Sequence, residues 1–281
     1  MKLKAHHFVG GRRLRRLAAF TMVEIALALA VIAFALVAII GVLPAGMSVQ
    51  RDNRESTLIN FDADFLMDAL KSGTVGLDDL TNHILSISNS FVFFDVSPTG
   101  VVTPSKGVHW IQYTTTNTTS DRSIATASSV LTNGANIIML LSTPKYIPAP
   151  ALGGFYSNYV SADFRAITGA LADQGASQSA RDFSFTYRVY PEIIPYFAAN
   201  LYMPVTNSPD NGLMPNNYQS NYTQIRLRFR WPILPNGQMG NSRLTFRSGA
   251  SGFLALRPSL VGGAISNAFI QQGTYVAAGT Q

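Results

Sequence analysis

The chain has 281 residues, 47% of them hydrophobic, and a formal net charge of +6. This composition is sufficient for a packed core and excludes intrinsic disorder over most of the length. With no cysteine and only four histidines, two of them at positions 6 and 7, the chain has no disulfide framework, thiolate metal site or histidine-rich metal centre.

A basic leader is predicted at the start of the chain, residues 1–19. Its basic residues are Lys2, Lys4, Arg12, Arg13, Arg15 and Arg16, and it holds no acidic residue. The remainder of the chain has 15 basic and 15 acidic residues and is formally neutral. The overall basicity therefore describes the leader and says nothing about a partner of the rest of the chain.

An uninterrupted apolar segment follows at residues 25–43. As a helix, these 19 residues span about 28 Å, which matches the hydrocarbon core of a bilayer. The segment is too long for the core of an ordinary secretory signal. We predict a single-pass transmembrane helix with a cytoplasmic N-terminus, because the basic residues precede it. A buried helix of a soluble protein is the alternative.

One carboxylate, Glu24, stands at the start of this apolar segment. An acidic residue costs about 2.5–3.5 kcal/mol at the centre of a membrane helix and less near its end. Glu24 either lies at the cytoplasmic interface or pairs with a cationic group.

The sequence around Glu24 resembles a known processing signal. Residues 15–25 read Arg-Arg-Leu-Ala-Ala-Phe-Thr-Met-Val-Glu-Ile and closely resemble the cleavage and methylation signal of type IV pilins and pseudopilins. The resemblance implies that a prepilin peptidase cuts between Ala19 and Phe20 and that Phe20 is then N-methylated. It also implies that Glu24 binds the new terminal amine of a neighbouring subunit and sets the axial register. Ala19 replaces the family's usual glycine, and Gly41 stands where the family has proline.

A second helical segment is predicted at residues 51–71, after an interruption at Pro44 and Gly46. Five acidic residues lie along it, at positions 52, 55, 62, 64 and 68. We expect a solvated acidic face, because no histidine or glycine-loop signature accompanies these carboxylates to indicate metal binding or acid–base chemistry.

Beyond residue 73, apolar residues recur at every second position, which predicts β-strands. The predicted strands are residues 91–96, 108–113, 136–141, 183–189, 225–231 and 243–246, with a hairpin turn at 97–100 and long polar loops at 114–134 and 200–222. The fold class is therefore α+β, with the long N-terminal helix, half transmembrane and half amphipathic, packed on a mainly antiparallel sheet. The pilin resemblance implies the same architecture. The predicted domains are the leader 1–19, a transmembrane and assembly helix 20–43, and a periplasmic or extracellular domain 44–281.

The charge of the body is unevenly distributed. Residues 20–210 hold 15 acidic and nine basic residues, whereas residues 211–281 hold six arginines and no acid. We hypothesise that Arg226, Arg228 and Arg230 form an electrostatic contact with the acidic helix face, within one subunit or between neighbours. A contact with DNA or polysaccharide is the competing hypothesis. In an alternating strand, Phe229 and Trp231 face away from the arginines and are expected in the core.

A weaker resemblance concerns the last predicted strands. Residues 225–232 and 241–247 resemble a pilin-like group found in gene cassettes of Verrucomicrobia. That group has no settled biochemical role, so this resemblance implies subunit identity only.

Signatures of enzymes do not occur in the sequence: there is no nucleophile elbow, phosphate loop or dinucleotide fingerprint. His83 and His109 are interpreted as core or surface residues, and Asp210-Asn211-Gly212 as a turn that needs no calcium. We predict no enzymatic activity, cofactor or metal.

The resemblance implies that the chain is a pilin-like or pseudopilin subunit, and it also implies the partners. The subunit is expected to be a minor one and to assemble through its apolar helix into a pilus or a type II secretion-like pseudopilus. The implied partners are the prepilin peptidase, other pilin subunits, the inner-membrane assembly platform and the lipid bilayer; nucleic acid is not expected. The alternative is an uncleaved, signal-anchored periplasmic binding or adhesion protein.

Overall fold

Two compact units make up the chain, Met1–Arg54 and Glu55–Gln281. The computed structural model describes residues 21–73, 79–97, 99, 101–105, 107–115, 118–120, 130–149, 153–168, 185–195, 221–234, 236–257 and 267–271. The predicted leader, its cleavage site and the turn at 210–212 lie outside these residues.

The first element is a long helix, α1, which runs from Met22 to Ser72. Pro44 lies inside α1, and the helix also continues through Gly46, so the predicted interruption at these two residues is wrong. An interior proline removes one backbone donor and costs helix stability, but its fixed φ is compatible with helix, and the good helix formers Leu43 and Ala45 flank it. Among the described residues, α1 alone is long and apolar enough to cross a membrane.

In the second unit, α1 is amphipathic, as predicted for residues 51–71. Ile59, Ala63, Leu66 and Leu70 are buried and follow one another at spacings of three and four residues. They belong to the same hydrophobic core as the buried residues of the strands. This spacing confirms the helical interpretation of the sequence.

The remaining described elements are mostly strands. In chain order they are α2 (Leu80–His83), β1 (Ile84–Val96), β2 (Val102–Pro104), β3 (His109–Thr114), β4 (Thr118–Ser120), a 3-10 turn (Val130–Thr132), α3 (Gly134–Leu141), β5 (Tyr146–Ala149), β6 (Gly154–Arg165), β7 (Thr186–Pro195), β8 (Tyr222–Ile233), β9 (Met239–Ser251), β10 (Phe253–Arg257) and β11 (Asn267–Gln271). Nine strands pair in one antiparallel sheet with the central order β4-β3-β1-β6-β7-β8-β9, while β2 pairs with β1 and β5 with β6. β10 and β11 form a separate pair. A long helix and an antiparallel sheet confirm the α+β class.

Most of the predicted strands are confirmed. The segments 91–96, 108–113, 225–231 and 243–246 fall in β1, β3, β8 and β9, and 183–189 overlaps β7. The ends of the predicted hairpin turn are joined as expected, because the Ser97 amide donates to the Val101 carbonyl at 2.9 Å and β1 pairs antiparallel with β2; residues 98 and 100 of the turn lie outside the described residues.

One predicted strand is wrong, because residues 136–141 lie in helix α3. The Asn133 side chain caps this helix by accepting a hydrogen bond from the Ala135 amide at 2.8 Å. The residues from Ile137 to Leu141 are all buried. A short segment that is apolar on every face is equally compatible with a buried helix and a buried strand. Its sequence period therefore does not show which of the two forms.

Candidate functional site

Glu24 lies in the first turn of α1 and closes a capping box with Thr21. Its Oε2 accepts hydrogen bonds from the Thr21 amide at 2.9 Å and the Thr21 hydroxyl at 3.0 Å. In return, the Glu24 amide donates to the Thr21 hydroxyl oxygen at 3.3 Å. These reciprocal bonds satisfy backbone donors that a helix start leaves unpaired.

The capping role of Glu24 was missed in the sequence, although its signal was visible there. Thr21-x-x-Glu24 before an apolar segment is the capping-box pattern. The carboxylate therefore stabilises the helix start within its own chain, whatever else it binds. Ala19 and Phe20, and the leader arginines Arg12, Arg13, Arg15 and Arg16, lie outside the described residues.

An extended apolar surface follows Glu24 along α1. Every residue from 22 to 43 is exposed, and large side chains are among them: Phe34 is 80% exposed and Ile40 is 68% exposed. Soluble monomers rarely expose contiguous apolar patches of this extent. This part of the helix therefore requires lipid or protein around it.

In the second unit, one acidic residue of α1 is buried instead of solvated. Asp62 is fully buried, and its Oδ1 accepts bonds from the Thr168 amide at 2.9 Å and the Thr168 hydroxyl at 2.6 Å. Its Oδ2 accepts a bond from the Ile167 amide at 3.0 Å. Asp62 thus ties α1 to the segment that follows β6. Burial, followed by the negative charge of Asp62, raises the pKa of the Tyr187 hydroxyl well above its usual value.

The predicted solvated acidic face is therefore wrong for two of its five members. Asp62 is buried and Glu55 is only 8% exposed, whereas Asp52, Asp64 and Asp68 are exposed as predicted. The helical period places positions 55 and 62 on the side of α1 that also carries Ile59 and Leu66.

Alternate residues of β8 place Arg226, Arg228 and Arg230 on the sheet face opposite the core. Arg226 binds Glu192 of β7 at 3.1 Å, Arg228 binds the same carboxylate at 3.0 Å, and Lys145 binds it at 3.2 Å. Arg230 donates to the Gly240 carbonyl. Within the chain, Arg226 and Arg228 thus contact a neighbouring strand and not the acidic face of α1, whereas the hypothesised contact with the acidic helix face of a neighbouring subunit stays a prediction.

The aromatic residues of β8 lie on the core face, and other aromatics lie among the arginines. Phe229 is fully buried and Trp231 is 3% exposed, which confirms their predicted position. On the opposite face, the Arg228 guanidinium lies 5.7 Å from the ring centre of Tyr190, which contacts the ring of Tyr159. A cation over a ring adds a modest attraction at such an exposed site.

The two histidines of the body have structural contacts. His83 Nδ1 lies 3.1 Å from the Ala166 carbonyl oxygen, and the His109 ring lies 5.6 Å from the ring of Phe91. In the part of the chain that the structure describes, no group of three or more acidic or histidine side chains is placed to hold a metal ion.

Comparisons with models of protein families, with curated proteins and with solved structures found no match for this chain.

Proposed function

We propose that the protein is a pilin-like or pseudopilin subunit of the minor kind, which is cut before Phe20, N-methylated and assembled through its apolar helix. The observation that carries this proposal is a carboxylate in the first turn of a helix whose next 19 residues are apolar and exposed. An exposed apolar helix of this length is suited first to a bilayer and then to packing among identical helices.

The geometry at Glu24 is compatible with two simultaneous roles. Both bonds from Thr21 end on Oε2. A carboxylate offers about four acceptor positions, so Oε1 has the capacity to bind the terminal ammonium of a neighbouring Phe20. Such a pair, formed in an apolar environment, fixes the register of one subunit relative to the next, because an unpaired charge there is costly.

The proposed location follows from the leader charges and the apolar helix. The precursor is a single-pass protein of the inner membrane, with its N-terminus in the cytoplasm and residues 44–281 in the periplasm. There the amphipathic half of α1 packs on the sheet. The partners are a prepilin peptidase, other pilin subunits, the inner-membrane assembly platform and the lipid bilayer.

The N-terminus of the mature protein tests this proposal. Mass spectrometry of the chain purified from its native membrane is expected to give a first residue Phe20 that carries one methyl group. Ala19→Leu should block the cut because a large residue replaces a small one, and the matched variant Ala19→Gly should retain it. A native chain that begins at Met1 would refute the proposal.

The alternative is an uncleaved, signal-anchored binding or adhesion protein. The observation that favours it is the exposed sheet face, where Arg228 lies over the ring of Tyr190 and that ring contacts the half-exposed Tyr159. An intact leader together with a monomeric chain in the membrane is the outcome that this alternative predicts.

A further inference from the structure

The outer face of β8 and β9 carries an excess of positive charge. We call this surface the open face and define it by Arg226, Arg228, Arg230, Arg243, Thr245 and Arg247. Their neighbours in sequence point the other way: Ile225, Leu227 and Phe229 are buried in the core that also holds residues of α1. The open face therefore lies on the side of the sheet opposite this core.

Arginines face each other directly across the two strands of the open face. In the antiparallel register, Arg226 is opposite Arg247 and Arg230 is opposite Arg243. Like charges at directly opposed positions destabilise a strand pair. Glu192 offsets this repulsion at Arg226, but Arg243 and Arg247 are exposed and form no ion pair with any carboxylate among the described residues. The open face is therefore suited to an anionic partner.

An anionic surface of matching spacing exists on the same chain. Its two carboxylates, Asp64 and Asp68, follow the neutral Asn60 on α1; all three are exposed, at four-residue spacing, on the side away from the buried Ile59, Ala63, Leu66 and Leu70. We call these three residues the acidic stripe. Successive members are about 6 Å apart along the helix, and side chains on one face of a strand are about 6.8 Å apart.

We propose that the open face of one copy of this chain binds the acidic stripe of the next copy. The formal charge of the chain is divided in the same way: it is −6 over residues 20–210 and +6 over residues 211–281. Two different surfaces meet in this contact, so it is heterologous and does not close on a pair. Its repetition generates a ring if the rotation between copies closes and a filament if it does not, and the proposed function requires the filament. The inference rests on the proposed assembly into a filament, not on the subunit being a minor one, because it requires adjacent copies of the chain.

Disulfide crosslinking in membranes tests the contact directly, because the chain has no native cysteine. Asn60→Cys places a thiol in the acidic stripe, and Thr245→Cys places one between the arginines of the open face. One full-length chain with both cysteines is expected to give a ladder of multimers on mild oxidation. Two chains with one cysteine each are expected to give the mixed dimer only when both are present.

Reversing the charges of each surface, first separately and then together, tests whether the open face and the acidic stripe bind each other. Arg243→Glu with Arg247→Glu in the Thr245→Cys chain should lower the yield of mixed dimer about tenfold, because opposed charges become like charges. Asp64→Arg with Asp68→Arg in the Asn60→Cys chain should do the same. The two reversed chains together should restore the yield. Arg54→Glu, which alters an exposed cation outside both surfaces, is the matched control and should leave the yield unchanged.

Two outcomes overturn the inference. One is an absence of mixed dimer while the chain is cut at Phe20 and found in filaments, in which case the proposed function stands and this interface does not. The other is loss of the dimer on reversal without rescue, together with arginine-dependent retention of the chain on DNA or on heparin, which would assign the open face to a polyanion. Conversely, if the reversed pair restores the crosslink but the native chain keeps its leader, the interface is supported and the filament proposal is refuted.

Discussion

At the scale of single residues, Glu24 and Asp62 show how α1 uses carboxylates in two different environments. Glu24 is exposed and bonds to Thr21 three residues away, so its capping role is local. Asp62 is buried and bonds to Thr168, which is 106 residues away in sequence. The first bond is readable from a short motif, whereas the second depends on the completed fold.

We predict that Glu24→Gln and Glu24→Leu separate the capping role from the charge. Glutamine at the third helical position still closes a capping box but carries no charge. If the carboxylate binds a terminal ammonium, both variants should abolish filament assembly. Assembly is measured as the amount of the chain that mechanical shearing releases from the cell surface. Assembly by the glutamine variant but not by the leucine variant would assign Glu24 to capping alone. Helicity by circular dichroism is the control for folding.

At Asp62 we predict a large loss of stability on substitution. Asp62→Ala leaves three donors of Ile167 and Thr168 without an acceptor in a buried site. Each hydrogen bond to a charged group contributes about 1.5–3 kcal/mol, so the free energy of unfolding should fall by about 3 kcal/mol or more. Urea unfolding measures this change. The exposed Asp64→Ala is the matched control and should change stability by less than about 0.5 kcal/mol.

At the scale of elements, the sequence predicts those whose pattern is set locally. From Thr223 to Trp231, β8 alternates buried residues with Gln224 and the three arginines, so its period is unambiguous. β6 alternates only in its second half, where Val160, Ala162 and Phe164 are buried. In its first half Phe155 and Asn158 are both buried, three residues apart, and the buried Asn158 side chain donates to the Pro144 carbonyl at 2.9 Å. That bond requires the completed fold, so the pattern of the sequence indicates the second half of this central strand and not the first.

The same limit applies to the candidate site. The capping box at Glu24 and the outward arginines of β8 follow from spacing alone. The choice of Glu192 as the partner of Arg226 and Arg228 does not, because it depends on the register between β7 and β8, in which Glu192 lies opposite Arg226. The burial of Asp62 likewise depends on which side of α1 meets the core.

Gly154 is a specific test of the packing between β1 and β6. A Cβ at this position would lie about 2.8 Å from the Phe93 ring and within overlap of the Phe94 carbonyl. The strand backbone must therefore shift to accept Gly154→Ala, at a cost typical of overpacking, about 1–3 kcal/mol. Chemical denaturation measures the loss. Ser157→Ala in the same strand is the control, and an equal stability of the two variants would contradict the close approach.

At the scale of the whole molecule, the chain presents two surfaces that are suited to a partner, one apolar and one positively charged. One is the apolar surface of residues 22–43, and the other is the open face with its opposed arginines. In the proposed function, lipid covers the first before assembly, and helices of other subunits cover it afterwards. In the proposed filament, the acidic stripe of a second copy neutralises the other.

The proposed membrane role of residues 25–43 leads to a quantitative prediction. The segment holds 12 Leu, Ile, Val and Phe residues. At about 0.3–0.6 kcal/mol each, they favour insertion by about 4–7 kcal/mol, whereas one central arginine opposes it by about 2.5–3.5 kcal/mol. Phe34→Arg alone should therefore leave the chain in the membrane fraction after alkaline extraction. Phe34→Arg with Val37→Arg should release it, because two charges cancel the apolar contribution.

Met47→Arg with Val49→Arg adds the same charge to exposed positions beyond the segment and should leave the chain inserted. Release by this control pair would show that net charge, and not the apolar segment, determines membrane retention.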